Sequence, residues 1–98
     1  MGNNLNVNAH AGEFDIRHEP QNSRFALYRD GEAIAIASYD EHDGIRDFNH
    51  TEVEKRHRGQ GLSTPLIAYA LATTRSQGFD IKPSCTAIAH YIAKKPKY

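Results

Sequence analysis

Apolar and polar residues alternate along the first half of the chain, a pattern that predicts β-strands. The alternation covers residues 14–18, 24–28, 32–39 and 46–53. Asp30-Gly31, between the second and third of these segments, is a dipeptide typical of a tight hairpin turn. Residues 40–44 are mostly polar and are predicted to form a loop. We therefore expect a sheet whose strands are mostly antiparallel.

The second half of the chain changes to helical spacing. One apolar stripe predicts a helix over about residues 62–77 and consists of Leu62, Leu66, Ile67, Ala70, Leu71 and Thr74. Pro65 falls in the first turn, where a missing N–H is harmless, and Gly78 is the expected C-cap. A short strand over residues 79–82 and a last helix from Pro83-Ser84 to about Lys94 follow, and Pro96 ends that helix. The order predicts an α+β fold.

Size and composition limit the possible functions. The 98 residues predict a single domain over residues 13–98, preceded by an asparagine-rich and flexible tail over residues 1–12. Twelve basic residues balance twelve acidic ones, which argues against a nucleic acid or an anionic membrane as partner. A single cysteine excludes an internal disulfide, and no apolar run approaches the roughly 20 residues that span a bilayer. With no secretory signal pattern either, we expect a cytoplasmic protein.

Residues 53–62, here called the glycine turn, are the most informative segment. Gly59 and Gly61 can take positive φ and let the backbone approach a ligand closely. The predicted helix that follows begins with unpaired N–H groups and the positive end of its dipole, beside Lys55, Arg56 and Arg58. The segment fits neither the P-loop pattern nor the dinucleotide-binding pattern, because the required lysine and third glycine are absent. We predict that main-chain amides of about residues 57–63 bind a phosphorylated ligand.

The segment resembles the signature of the GNAT superfamily of acyl-CoA-dependent N-acetyltransferases. That signature, Arg/Gln-x-x-Gly-x-Gly/Ala, is matched by residues 56–61, and Val53 lies on the strand before it. The chain also resembles a small single-domain branch of the superfamily over roughly residues 14–98. The matching segments, in order, are Arg24-Phe25, Asp30-Gly31, Tyr39, His50-Thr51-Glu52-Val53, the glycine turn and Pro83-Ser84-Cys85. The chain departs from the branch at Glu54 and Lys55, where prolines are usual.

The resemblance implies a GNAT-like fold, with a twisted and mostly antiparallel sheet, a long helix after the glycine turn and a second, C-terminal helix. It implies acetyl-CoA or coenzyme A as ligand, with the pantetheine arm paired to the strand edge at residues 51–53 and an amide near Val53 facing the thioester oxygen. The cofactor-binding residues it implies are Thr51, Val53, Arg56, His57, Arg58, Gly59, Gln60, Gly61, Leu62 and Ser63.

Two candidate catalytic residues lie on the last helix. The last helix reproduces a spacing found in the GNAT superfamily, with Ser84 in place of asparagine, followed by Ala87 and Tyr91. The resemblance implies that this tyrosine protonates the leaving thiolate. Tyr91 can equally be a core aromatic, since it continues an apolar stripe of the helix. Cys85 lies at the start of the same helix, where the dipole lowers a thiol pKa. It can accept the acetyl group, line the pocket, or be a small buried residue.

The general base is less clearly indicated. His50 and Glu52 share one face of their strand, and either can accept a proton directly or through water, although both can also be ordinary surface groups. His42, Asp43 and His90 lack the spacing of metal ligands, so no metal is expected.

The sequence leaves several functions open. The leading hypothesis is an acetyl-CoA-dependent N-acetyltransferase that acts on a primary amine. The alternative is a module that binds acyl-CoA without turnover, and a nucleic-acid-binding domain is disfavoured by the neutral charge. The acceptor can be a protein lysine, a polyamine or a metabolite, and the protein can be a monomer or a homodimer.

Overall fold

The computed structural model describes residues 14–94, where the chain forms one five-stranded sheet and two α-helices. The elements are β1 (Asp15–Glu19), β2 (Arg24–Arg29), β3 (Glu32–His42), β4 (Ile45–Val53), α1 (Ser63–Ser76), β5 (Asp80–Lys82) and α2 (Thr86–Lys94). The strands lie in sequence order, antiparallel from β1 to β4, and β5 pairs parallel to β4. The predicted α+β class is confirmed. The predicted tail and Pro96 lie outside the described residues.

Two hairpins of the same kind connect β2 to β3 and β3 to β4. Asp30-Gly31 has φ of 52° and 80°, and Asp43-Gly44 has φ of 50° and 75°. Two successive residues with positive φ match the right-handed twist of the paired strands. The predicted loop over residues 40–44 is therefore wrong. Residues 40–42 extend β3 and pair with residues 45–47 of β4, because the second Asp-Gly dipeptide makes the turn in two residues.

Helix α1 has the predicted buried stripe and the predicted end. All six residues of the stripe, from Leu62 to Thr74, are buried. Gly78 has φ of 83°, and the N–H groups of Gly78 and Phe79 donate to the carbonyls of Arg75 and Thr74 at 3.0 and 3.2 Å. These two bonds form a Schellman motif and satisfy carbonyls that the helix end would leave unpaired. Between residues 14 and 94, neither helix combines the length and the apolar character needed to cross a membrane.

The core lies on one face of the sheet, between the strands and the two helices. Phe25, Tyr39 and Phe48 form an aromatic cluster there, with ring centroids 5.6 to 6.1 Å apart. On the other face, polar contacts link β1 to β2. Arg24 Nε and the Tyr28 hydroxyl donate to the carboxylate of Glu19, at 2.7 and 2.6 Å.

A β-bulge in β4 positions the candidate site. Ser38 pairs with His50 whereas Tyr39 pairs with Phe48, so Asn49 is the extra residue. An extra residue reverses the inward and outward alternation of the side chains beyond it. Phe48 and Thr51 are three residues apart and would otherwise point to opposite faces. The bulge lets both side chains face the helices.

Candidate functional site

The site is built where β4 and β5 separate. The two strands pair only over Ile45↔Asp80, Arg46↔Ile81 and Asp47↔Lys82. One further bond, from the Cys85 N–H to the Phe48 carbonyl at 2.8 Å, joins the start of α2 to β4. Beyond it, the strand pairings of β4 in the described part of the chain are to β3 alone.

The ladder between β3 and β4 shows which backbone groups of β4 face outward. The Glu54 N–H donates to the Ile34 carbonyl at 2.8 Å, and Ala35 lies opposite Val53. In an antiparallel pair, alternate residues turn both backbone groups toward the partner strand. Glu52 and Glu54 therefore face β3, whereas Thr51 and Val53 face away from it. We call the outward backbone of Thr51 and Val53 the free edge of β4.

The glycine turn leads from the free edge to α1. Gly59 and Gly61 have φ of 84° and 71°, as expected. A Cβ atom at either position would meet nothing within 4 Å, so open space lies against this backbone. Leu62, the N-cap of α1, has no side-chain acceptor for the first N–H groups, and the first turn holds no acidic residue. These amides and the helix dipole suit an anion.

The basic side chains of the turn are exposed and partly paired with acids. Arg56 lies 3.5 Å from Glu54 and 3.9 Å from Glu32, which offsets part of its charge. His57 is half-buried, with Nε2 3.7 Å from Glu54. Arg58 folds back so that its Nε donates to the Val53 carbonyl at 3.1 Å. Arg58 thus bonds to a group of the free edge itself.

Cys85 lies against the free edge as the residue before α2. Its carbonyl accepts the first helical bond, from Ala89 at 3.0 Å, so Cys85 occupies the N-cap position. Its Sγ lies 3.3 Å from Thr51 Oγ1. Burial alone would raise the pKa of the thiol, but hydrogen bonds from the Thr51 hydroxyl and from the backbone of Ile88, Ala87 and Thr51 outweigh it and lower the pKa. A thiol in these surroundings ionises more readily than an ordinary cysteine.

Tyr91 lies on the same helix, six residues after Cys85. It is partly buried and packs against the core, as do Ala87 and Ile92. Ser84 precedes the helix and is exposed. The predicted apolar stripe on α2 is confirmed, and it includes Tyr91. Packing therefore accounts for the ring, while the role of the hydroxyl stays a prediction.

His50 and Glu52 share one face of β4, as predicted. Both side chains are exposed, and His50 Nε2 lies 3.2 Å from Glu52 Oε1. This face is opposite the one on which Thr51 meets Cys85. A shallow pocket of about 230 Å³ lies beside Glu52, and its lining consists of Arg24, Ala33, Ile34, Ala35, Ile36, Glu52 and Glu54. The structure thus places the candidate bases and the thiol on opposite faces of β4.

Sequence reasoning missed two contributors to this site. Phe48 supplies the carbonyl that anchors Cys85, and the Thr51 side chain contacts the sulfur. Thr51 was predicted to act only through its backbone. Neither contact has a local sequence signal, because both depend on the bulge at Asn49. Among residues 14–94 no group of three or more histidine, cysteine, aspartate or glutamate side chains is placed to hold a metal ion.

Comparison with known proteins agrees with this geometry. A family described as GCN5-related N-acetyl-transferase matches residues 24–98. The match covers β2 to α2 and thus every candidate site residue. No curated protein shows significant similarity to the chain.

Proposed function

Since the chain belongs to the GCN5-related N-acetyltransferase family, we propose that it transfers the acetyl group of acetyl-CoA to a primary amine at the free edge of β4. The observation that carries this proposal is the free edge itself. Its outward backbone lies between an anion-suited helix N-terminus and an ionisable thiol. This order of groups matches the order of pyrophosphate, pantetheine arm and thioester along acetyl-CoA.

The described residues fit the donor substrate. Amides of residues 57–63 would bind the pyrophosphate, since the first turn of α1 has no side-chain cap and the glycines leave open space. The backbone of Val53 and the carbonyl of Thr51 would pair with the amides of the pantetheine arm, since the Thr51 N–H already donates to the Cys85 sulfur. Because Arg58 already donates to the Val53 carbonyl, binding at that carbonyl would release Arg58, which is then free to pair with phosphate.

Acetyl transfer requires an acceptor for the amine proton and a donor for the leaving thiolate. The exposed His50–Glu52 pair, on the face of β4 opposite the helices, is the candidate acceptor of the amine proton. Tyr91, on the helix side, is the candidate proton donor to the thiolate. An outward amide at the free edge would stabilise the oxyanion. With these roles, the amine nitrogen bonds to the acetyl carbon, and the electron pair of the broken C–S bond leaves with the CoA sulfur.

Cys85 offers a two-step route. Its thiolate would bond to the acetyl carbon while the CoA thiolate leaves, and the amine would then displace Cys85 from the acetyl group. A Cys85→Ala variant distinguishes the two routes. Loss of turnover by a factor of about 100 or more indicates a nucleophile, as expected when covalent catalysis is removed, whereas a change of only a few-fold indicates that Cys85 lines the pocket.

The first test is the thermal midpoint of unfolding with saturating acetyl-CoA, CoA, ATP or NAD. A ligand at 100 times its Kd stabilises the fold by about 2.7 kcal/mol. For a domain of this size, that raises the midpoint by roughly 10 °C. We expect a shift with both CoA forms and a smaller one, or none, with ATP and NAD. No shift with any of the four would overturn the proposal.

A non-catalytic acyl-CoA-binding module is the second candidate. The observation that favours it is the separation of the exposed His50–Glu52 pair from Cys85 by the backbone of β4. Release of free CoA from acetyl-CoA, measured with lysine peptides, polyamines and small amines, separates the two functions. Turnover with any of these amines supports the transferase, and binding of acetyl-CoA without turnover across the set supports the module.

A further inference from the structure

We propose that the side chain of Thr51 is a positioning residue for the Cys85 thiol, which it holds against the free edge of β4 through the contact between its hydroxyl and the sulfur. The proposal goes beyond backbone binding of the pantetheine arm. It rests on the proposed function only for what the thiol is used for, since the reactivity of the thiol can be measured without CoA.

The first step of the argument is that Cys85 is fixed to β4 at two points. Its N–H donates to the Phe48 carbonyl at 2.8 Å, and its Sγ lies 3.3 Å from Thr51 Oγ1. The bulge at Asn49 makes the second contact possible, because it brings the Thr51 side chain to the same helix side of the sheet as that of Phe48. The sulfur is therefore held beside the outward backbone of Thr51.

The second step concerns what a hydroxyl does there. Cys85 caps α2, and the backbone of Ala87 and Ile88 already donates to its sulfur. A neutral thiol can donate its proton to Thr51 Oγ1, whereas a thiolate accepts a bond from the Thr51 hydroxyl, so the contact survives ionisation. Hydrogen bonds to the charged partner are the stronger ones, so the hydroxyl favours the thiolate.

The third step is that neighbouring charged groups are not what favours the thiolate form of Cys85. His50 and Glu52 lie on the opposite face of β4. The titratable groups on the neighbouring helices are Tyr69, Arg75, His90, Tyr91 and Lys94. The causes that set the pKa of Cys85 are burial, which raises it, and the hydrogen bonds from Thr51 and the helix amides, which lower it. Among these hydrogen bonds, the one from the Thr51 side chain can be removed by a substitution, whereas the bonds from the backbone cannot.

The single cysteine of the chain makes the test direct. Alkylation by iodoacetamide, followed by mass spectrometry between pH 6 and 10, reports Cys85 alone. In Thr51→Val, which keeps the shape but lacks the hydroxyl, we expect the midpoint of the rate profile to rise by about one pH unit. The rate at neutral pH should then fall by about tenfold, and Thr51→Ser should restore both.

The controls separate ionisation from folding. Thr86→Val makes the same chemical change at an exposed position in the first turn of α2, and its profile should match that of the parent protein. Thermal midpoints of all variants establish that they are folded. If Thr51→Val follows the parent profile, the threonine only packs against Cys85 and the proposal is wrong.

Repeating the alkylation with CoA separates this inference from the proposed function. Protection by CoA together with a shifted Thr51→Val profile supports both. A shifted profile without protection leaves Thr51 as the positioning residue but contradicts the cofactor site. Protection with an unshifted profile contradicts the role of Thr51 alone.

Discussion

Arg46 is almost fully buried, with its guanidinium between the rings of Tyr39 and Phe79, 4.6 and 4.3 Å from their centroids. Its nitrogens donate to Thr74 at 3.1 Å, Gln77 at 2.9 Å and Glu41 at 3.0 Å. A planar group with several fixed donors suits such a junction better than lysine would. Arg46 thereby joins β3 and β4 to the end of α1, at the end of β4 far from the free edge.

Tyr91 differs from Arg46 in that packing explains its ring but not its hydroxyl. If the hydroxyl protonates the leaving thiolate, Tyr91→Phe should lower kcat by about 100-fold, since positioned acid catalysis contributes at least that much. CoA affinity should change little, because the ring is kept, and the free energy of unfolding shows whether the variant is as stable as the parent protein. Steady-state kinetics, CoA titration and urea unfolding measure the three quantities.

The matched control for Tyr91 is Tyr69→Phe on α1, whose ring also packs partly buried against the core. It should retain the kcat of the parent protein. Equal kcat values for the two variants and the parent protein would show that the Tyr91 hydroxyl does not act as the acid and that Tyr91 serves as a core aromatic.

Among the elements, the glycine turn and the two Asp-Gly hairpins depend on positive φ, which glycine adopts without strain. Gly59→Ala at φ of 84° should cost about 1 to 2 kcal/mol if the backbone is kept. The open space around it means that this cost comes from the backbone and not from a clash. Relaxation of φ would turn the neighbouring amides away from the phosphate. We expect CoA affinity to fall by about tenfold or more, as when one charge-assisted bond is lost, measured by calorimetry.

Gly44→Ala provides the control for this prediction. Gly44 has φ of 75°, and a Cβ atom at this position would meet nothing within 4 Å, but Gly44 lies in the hairpin between β3 and β4. The substitution should lower the thermal midpoint to a similar extent and leave CoA affinity unchanged. A similar loss of CoA affinity in both variants would mean that general destabilisation, and not the glycine turn, controls binding.

Elements with local signals were predictable from the sequence. The glycine turn, the Asp30-Gly31 hairpin, the stripe of α1 and the Gly78 cap each depend on residues close together in the chain. Residues 40–42 were mistaken for loop because their side chains are polar, although their backbone pairs with β4. The burial of Arg46 and the contact of Thr51 with Cys85 could not be predicted, since both are set by long-range packing and by the bulge at Asn49.

At the scale of the whole molecule, a partly buried polar contact at the border of the core makes stability depend on pH. His18 stacks on Phe25 with ring centroids 4.1 Å apart, and its Nε2 lies 2.6 Å from the Tyr39 hydroxyl. Burial, followed by the positive charge of Arg46, lowers the pKa of His18, while Glu41 opposes this. The folded protein therefore favours a neutral imidazole, which shares a hydrogen bond with the Tyr39 hydroxyl.

The sign of the effect follows from the lowered pKa. In the unfolded chain His18 takes up a proton near pH 6.5, whereas in the folded protein it does so only at lower pH. Stability is thus fully present above about pH 6.5 and is lost as the pH falls toward the pKa of the folded state. The pKa of Glu19 is also lowered, mainly by the hydrogen bond from Tyr28. Glu19 therefore loses its contribution to stability only when the pH falls below 4.5, the usual pKa of its carboxyl group. Between about pH 5 and 6.5, His18 is expected to dominate over this carboxylate.

We therefore expect His18→Gln to remove much of the fall in thermal midpoint between pH 7 and pH 5. The glutamine amide can still form a hydrogen bond with the Tyr39 hydroxyl, as donor or acceptor, but does not titrate. His42→Gln removes a histidine whose side chain is 60% exposed near the hairpin, and it should keep the pH dependence of the parent protein. Thermal unfolding followed by circular dichroism across this pH range measures all three proteins. If His18→Gln and His42→Gln lose stability in parallel with the parent, the acid sensitivity arises outside the contact between His18 and Tyr39.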